Sequence, residues 1–251
     1  MKGLTHDVVN PLELSRDLRK VYEQFKDSPN ALERHLAYRA WSACFPTFIA
    51  PQGQAVSIES LTRSFARDDP QGAQRTEAYR ALLGRCLKFS DLKREDALTT
   101  TRLQQERADH GQTLSPGEQA TQYLTSGNRQ EALRLAREII ASQDPYAIGS
   151  LSEFIKTMIV LQVDAQLLPS TERADLRSMA FTLAACQMGL ECGSESLSAL
   201  QMCIGLGACS GSVTERYLQA LPSDADRAAL NLETERVLRD IRSGNFTALG
   251  F

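Results

Sequence analysis

The chain has 251 residues, of which 42% are hydrophobic and 24% are charged, and its formal net charge is −3 at pH 7. A chain of this length buries a substantial core as one large domain or as two small ones. The small net charge argues against nucleic-acid binding and against any partner recognised mainly by charge. The longest apolar run, Ile155 to Val163, contains Lys156 and is far shorter than the roughly 18 residues of a membrane span. We therefore expect no transmembrane segment.

The first helices are predicted from apolar residues that recur at spacings of three and four. An amphipathic helix is expected from Leu12 to Phe25, with an apolar stripe of Leu14, Leu18, Val21, Tyr22 and Phe25. After Ser28-Pro29-Asn30, a second helix is expected to stop before Pro46, because proline disrupts a helix interior. The two helices would form an antiparallel hairpin.

Two further helices are expected at Ile58–Phe65 and Gln71–Leu87, followed by a polar helix that ends near His110. The stretch Thr99–Thr113 is the least regular part of the chain, so we expect a division beside it. The sequence then predicts an N-terminal helical half at 1–111 and a C-terminal helical half at 112–251. One continuous domain is the alternative.

A helix pair is predicted around residues 118–140. Ser115-Pro116-Gly117-Glu118 combines a capping serine, a proline in the first turn and an acid three residues after the serine, which is typical of a helix start. Ser126-Gly127-Asn128 then joins this helix to a second one with the apolar face Ala132, Leu133, Leu135, Ala136 and Ile139. The segment resembles a tetratricopeptide-type helix pair.

Helical patterns continue to the C-terminus, and serines stand at most of the expected caps. The segments are Pro145–Leu161, Ser170–Gln187, Ser194–Ile204, Ser212–Ala220 and Ser223–Ile241. The whole sequence thus predicts about ten helices and no strand. Its fold class is expected to be all-α, either an irregular helical bundle or a short superhelix of antiparallel helix pairs.

Four of the six cysteines form a repeated local pattern, Cys186-x5-Cys192 followed by Cys203-x5-Cys209. In each copy the first cysteine lies at a helix end and glycines precede the second, so the chain can turn back and bring the two sulfurs together. We expect the local disulfides Cys186–Cys192 and Cys203–Cys209. Cys44–Cys86 is the expected third disulfide, because each of these cysteines ends a helix.

Other arrangements of the same cysteines stay open. The crossed pairs Cys186–Cys203 or Cys192–Cys209 could form, the four thiolates could hold zinc, or all six thiols could be reduced and buried as small hydrophobic groups. The spacing disfavours zinc, because its usual cysteine knuckles have about two to four intervening residues. Disulfides would indicate an oxidising compartment, whereas reduced or zinc-bound cysteines would indicate the cytoplasm.

The order Ala185-Cys186, Gly189, Cys192, Leu200, Cys203, Gly207 and Cys209 resembles that of uncharacterised exported, cysteine-containing all-helical proteins of proteobacteria. Arg39-Ala40 to Cys44 and Leu82 to Cys86 fit the N-terminal part of that pattern, so the resemblance covers most of the chain. It implies export and disulfides, and it implies no catalytic residue. Met1 to Asn10 lacks the apolar region of a secretory signal, so we expect export to depend on a leader ahead of Met1.

Residues with catalytic chemistry form no recognised motif. The histidines are His6, His35 and His110, and His35 is expected at the surface or its boundary. Paired carboxylates could serve an all-helical glycan-cleaving enzyme. The candidate acids are Glu77, Glu153, Glu191 and Glu195. Acids in loops and at helix N-termini are ordinarily solvent-exposed and stabilised by the helix dipole, which is the simpler interpretation.

The sequence therefore favours a non-enzymatic protein-binding or scaffold domain of the bacterial envelope, periplasmic or secreted, whose concave helix-pair surfaces contact a protein partner. We expect no cofactor and no metal, and neither the partner nor the oligomeric state follows from the sequence. The alternatives are an exported helical hydrolase acting on cell-wall glycan or peptide, and a cytoplasmic helical adaptor with a zinc site made of four cysteines. A deep pocket around the candidate acids would favour the hydrolase, and a broad shallow groove would favour binding.

Overall fold

The computed structural model describes residues 10–48, 57–65, 69–92, 94–162 and 169–251. Helices dominate these ranges and no strand occurs in them, so the predicted all-α class is confirmed. No helix within the described ranges has the length and apolar composition needed to cross a membrane.

The helices group into two compact units. The N-terminal unit comprises Val8–Thr113 together with Glu191–Ala220, and the C-terminal unit comprises Leu114–Leu190 together with Leu221–Phe251. The chain thus changes unit two residues after the predicted division at residue 111, but it returns to the N-terminal unit for Glu191–Ala220. Local periodicity could not predict that return, because it depends on contacts between helices far apart in sequence.

The helices of the N-terminal unit are α1 (Asn10–Leu14), α2 (Leu18–Phe25), α3 (Ala31–Phe48), α4 (Ile58–Ser64), α5 (Gly72–Cys86), a 3₁₀ turn (Leu87–Asp91), α6 (Arg94–Asp109), α12 (Leu197–Leu206) and α13 (Val213–Ala220). α2 packs against α3, as expected for the first hairpin. The expected end of the second helix before Pro46 is wrong, because α3 continues to Phe48. A proline in the last turn removes one backbone hydrogen bond and leaves the earlier turns intact.

The single helix predicted at the start of the chain is two helices, because the backbone breaks between α1 and α2. Asp17 fixes the start of α2, since its carboxylate accepts a hydrogen bond from the backbone N–H of Lys20 at 3.2 Å. The break changes the register of α1. Leu12 and Glu13 are buried, whereas Leu14, which was expected in the apolar stripe, is 48% exposed.

Three aromatic rings form the centre of the N-terminal unit. The ring centroid of Trp41 lies 5.3 Å from that of Tyr22 and 5.4 Å from that of Phe89, the second contact being edge-to-face. All three side chains are buried. The Tyr22 hydroxyl accepts a hydrogen bond from Gln104 Nε2 at 3.3 Å, which fastens α6 to this cluster.

Burial of Tyr22 makes the stability of the N-terminal unit sensitive to alkali. Burial raises the pKa of its phenol above the ordinary value of 10.0, against the smaller effect of the hydrogen bond from Gln104, which lowers it. Above the ordinary pKa, the unfolded chain releases the proton that the folded protein keeps. The contribution of the protonated Tyr22 phenol to stability is therefore fully present below the ordinary pKa. It is lost as pH rises from that value through the folded-state pKa.

We expect Tyr22→Phe to reduce the fall in the free energy of unfolding between about pH 8 and about pH 11. The measurement is urea unfolding followed by the fluorescence of Trp41, the single tryptophan of the chain. Tyr123→Phe is the matched control, because Tyr123 is 38% exposed. Equal pH profiles for the parent protein and Tyr22→Phe would contradict the prediction.

The helices of the C-terminal unit are α7 (Pro116–Thr125), α8 (Arg129–Ser142), α9 (Pro145–Ser150), α10 (Ser152–Gln162), α11 (Pro169–Gln187), α14 (Asp224–Ser243) and α15 (Phe246–Leu249). The expected capping box is present, because the Ser115 hydroxyl accepts from the Glu118 N–H and the Glu118 carboxylate accepts from the Ser115 N–H. Gly127, with φ of +84°, makes the turn between α7 and α8. The likeness of this pair to a tetratricopeptide unit stays a prediction.

The other helices of the C-terminal unit also pack closely. α7 meets the end of α9 so closely that a Cβ on Gly117 would overlap the Ser150 carbonyl group. The one helix expected at Pro145–Leu161 is divided at Leu151, whose N–H donates to the Ile148 carbonyl in a tightened turn. α11 packs against α10 and α14, and in this core the Phe251 ring contacts those of Phe154 and Phe181.

Candidate functional site

All six cysteines lie in the described residues, and none of them is free. One disulfide joins Cys44 of α3 to Cys86 at the end of α5, with a Cα–Cα distance of 5.3 Å, and both side chains are buried. Another joins Cys203 of α12 to Cys209 in the following loop, with Cα atoms 4.3 Å apart. Cys186 and Cys192 are disulfide-bonded as well.

These disulfides match the local pairs that the spacing favoured. The sulfurs that a crossed disulfide or a zinc site would need are already bonded. A crossed pair requires Cys203 or Cys209 to bond elsewhere, and a tetrahedral zinc site requires four thiolates. Neither is compatible with the bond between Cys203 and Cys209. Within the described part of the chain, no group of three or more His, Cys, Asp or Glu side chains is arranged to hold a metal ion.

Two arginines of α5 hold that helix antiparallel to α12. Near the start of α5, Arg75 donates to the Ile204 carbonyl from Nε at 3.1 Å and from Nη2 at 2.8 Å. Near its end, Arg85 donates to the Glu195 carbonyl ahead of α12. Because the last carbonyls of a helix lack intrahelical partners, Arg75 also caps α12. The apolar contacts between the two arginines are made by Ala78, Leu200 and Cys203.

A buried arginine, Arg216 of α13, organises the chain around the Cys203–Cys209 disulfide. Arg216 is 4% exposed, and its guanidinium donates to backbone carbonyls on both sides of α12 and in its first turn. These carbonyls belong to Ser194, Ala199, Ala208 and Gly211. Burial lowers the pKa of the Arg216 guanidinium, and the charge of Glu195 opposes this effect. Guanidinium has five N–H donors, which suits it to bind several carbonyls at once.

Glu13 is a buried carboxylate that fastens α1 to α3 and α12. It is 2% exposed, and its Oε1 accepts from Arg39 Nη1 at 3.0 Å and from the Ser198 hydroxyl at 3.1 Å. Its Oε2 accepts from the Ser198 backbone N–H at 2.9 Å. Ser198 lies in the first turn of α12, where backbone N–H groups are unpaired and the helix dipole favours a negative charge. Glu13 is therefore structural, and no local pattern in the sequence predicted its burial.

Three of the four candidate acids lie in the N-terminal unit, and Glu153 lies in the C-terminal unit. Glu77 is exposed and pairs with Arg80 at 3.2 Å, and Glu195 is exposed in the loop ahead of α12. Glu191 is half-buried, and its Oε1 accepts from the Gly193 N–H at 2.9 Å. Glu153 is exposed in the first turn of α10 and belongs to the other unit. None of them is among the residues that line the pocket in the C-terminal unit, which are Glu138, Ile139, Ala141, Ser142 and Ala147.

The histidines also have different environments from one another. His35 was expected at the surface or its boundary, and this is wrong: it is 6% exposed, and its Nδ1–H donates to the Thr113 carbonyl at 2.7 Å. This bond fastens α3 to the end of the Val8–Thr113 segment and fixes the tautomer of the ring. His110 is exposed just beyond α6, and His6 lies outside the described residues.

The buried polar side chains described above share one role, because each binds backbone groups or an opposite charge that holds helices together. Comparison of the chain with models of known protein families found no match, and comparisons with curated proteins and with solved structures found none either.

Proposed function

We propose that this chain is an exported, disulfide-bonded helical domain of the bacterial envelope, periplasmic or secreted, that binds another protein without catalysing a reaction. Disulfide bonding of the cysteines supports export, because disulfides persist in oxidising compartments and are rare in the cytosol. A chain of this length buries a core large enough to fold without disulfides. The disulfides therefore do not compensate for a small core.

Two exposed leucines on anchored segments carry the binding part of the proposal. Leu14 is 48% exposed and Leu87 is 68% exposed, and each adjoins a buried, tethered residue, Glu13 or Cys86. Two side-chain contacts tie these segments together, because the Glu13 carbonyl accepts from Arg85 at 2.8 Å and Asp17 pairs with Lys88 at 2.6 Å. Apolar side chains held on a rigid backbone give a partner contact area at little cost in conformational entropy.

Export is tested by intact mass and thiol counting on protein isolated without reductant from the cell envelope and from the cytoplasm. We expect the protein in the envelope fraction to have no thiol that can be alkylated. Its intact mass should be lower than that of the reduced chain by the mass of the six thiol hydrogens. Six alkylatable thiols in a protein confined to the cytoplasm would overturn the proposal.

Binding is tested with a photoactivatable amino acid at position 87 in living cells. A partner at this surface gives a discrete crosslinked band at Leu87 that is lost when Leu14→Asp is added. The matched control places the same amino acid at Leu232, which is 58% exposed on α14. No band from position 87, or a band that Leu14→Asp leaves unchanged, would show that this surface is not the binding site.

A further inference from the structure

The loop that carries Cys209 is held to α12 by contacts that do not involve sulfur. Arg216 binds the Ala208 and Gly211 carbonyls on either side of Cys209, and it also binds the Ala199 carbonyl one turn before Cys203. The Gly207 N–H donates to the Cys203 carbonyl at 3.0 Å and ends α12. None of these hydrogen bonds uses a sulfur atom, so we expect them to form in the reduced protein as well.

The two cysteines differ in access to solvent. Both cysteines pack with Ala78 and Leu200, but Cys203 is 2% exposed and Cys209 is only partly buried. We therefore expect a small oxidant in solution to react with Cys209 before Cys203. Access and thiolate content together set the rate of thiol–disulfide exchange.

We propose that Arg216 is a positioning residue for disulfide formation, which holds reduced Cys209 against Cys203 so that Cys209 receives the oxidant and Cys203 closes the bond. With a low-molecular-weight disulfide as oxidant, the Cys209 thiolate attacks one of its sulfurs and releases one small thiol. The Cys203 thiolate then attacks the Cys209 sulfur of this mixed disulfide and releases the second small thiol. Two protein thiols become one disulfide, and one oxidant disulfide becomes two thiols.

This proposal does not depend on the proposed binding function, and the chain contains an internal reference for it. Cys186 and Cys192 have the same spacing as Cys203 and Cys209, so the two loops have the same closure entropy to a first approximation. Arg216 binds carbonyls on both sides of Cys209, whereas near the other pair it binds only the Ser194 carbonyl, which lies two residues beyond the Cys186–Cys192 loop. The Val213 N–H donates to the Cys192 carbonyl through the backbone, and this bond does not use the Arg216 side chain. A change at Arg216 should therefore affect one pair and largely spare the other.

The first experiment equilibrates the full chain in buffers of reduced and oxidised glutathione, quenches it by alkylation and maps each pair by mass spectrometry. The measured quantity is the effective concentration of the Cys203 thiol relative to the Cys209 thiol. We expect Arg216→Met to lower it by about tenfold or more, because the two groups lose their fixed orientation. The Cys186–Cys192 pair should change less than about twofold. Arg80→Met, which removes an exposed arginine of α5, should alter neither pair.

Arg216→Lys covers the case in which the methionine variant does not fold. Lysine keeps the charge but loses the forked donors, so the same selective loss is expected in a folded protein. An unchanged effective concentration in Arg216→Lys, or equal losses for both pairs, would overturn the proposal.

The second experiment traps the mixed disulfide. Cys203→Ala should accumulate glutathione on Cys209, and Cys209→Ala should leave Cys203 largely unmodified while the protein is folded. Faster modification of Cys203 than of Cys209 in these variants would refute the assigned roles.

Discussion

Replacement of both Cys44 and Cys86 by alanine is expected to lower the free energy of unfolding of the N-terminal unit by about 4 kcal/mol. The disulfide closes a loop between cysteines 42 positions apart, so its loss returns a large conformational entropy to the unfolded chain. Both side chains are buried, and alanine keeps their positions apolar. Urea unfolding monitored by the fluorescence of Trp41 measures the change, because Trp41 belongs to the same unit.

The matched variant replaces Cys203 and Cys209 by alanine. These cysteines are six positions apart, so the same entropy argument gives about 2 kcal/mol. The difference between the two double variants tests whether loop length sets their contributions. A larger loss for the Cys203 and Cys209 pair would mean that native-state contacts around α12 dominate instead.

Local sequence patterns predicted those parts of the fold that local interactions determine. The capping box at Ser115 and the turn at Gly127 require only neighbouring residues, and both were predicted correctly. The division of the first helix was missed although its cause is also local. Asp17 is a good N-cap, but the apolar stripe passes across it and predicted a continuous helix.

The polar contacts that organise the N-terminal unit could not be predicted in this way. Glu13 and Ser198 are separated by 185 positions, and neither lies in a sequence motif that predicts a contact with the other. Arg216 gave a weak local signal, because it follows the buried Val213 by three positions and so shares its helix face. An arginine on an apolar face is ordinarily assigned to the boundary of the core, where its stem is buried and its charge is hydrated.

The second large effect is expected at Glu13, where Glu13→Gln should lower the free energy of unfolding by about 3 kcal/mol. The amide group has one acceptor oxygen and one NH₂ donor. If the NH₂ replaces Oε2 it faces the Ser198 N–H, and if it replaces Oε1 it faces the Arg39 guanidinium. Either orientation sets two donors against each other in a buried place, and the charge that favours the α12 N-terminus is lost.

A double-mutant cycle with Arg39→Met measures the coupling between Glu13 and Arg39. The cycle is needed because Arg39 Nη2 also donates to the Ser198 hydroxyl at 3.3 Å, a contact that the single variant Arg39→Met removes as well. Arg39 is 24% exposed, so solvent weakens its interaction with Glu13, and we expect a coupling energy of about 1 kcal/mol. Most of the loss in Glu13→Gln then comes from the contact with Ser198. Glu77→Gln, at an exposed ion pair of α5, should change stability by less than about 0.5 kcal/mol. If Glu13→Gln were equally mild, the carboxylate would not be what holds α1 on α12.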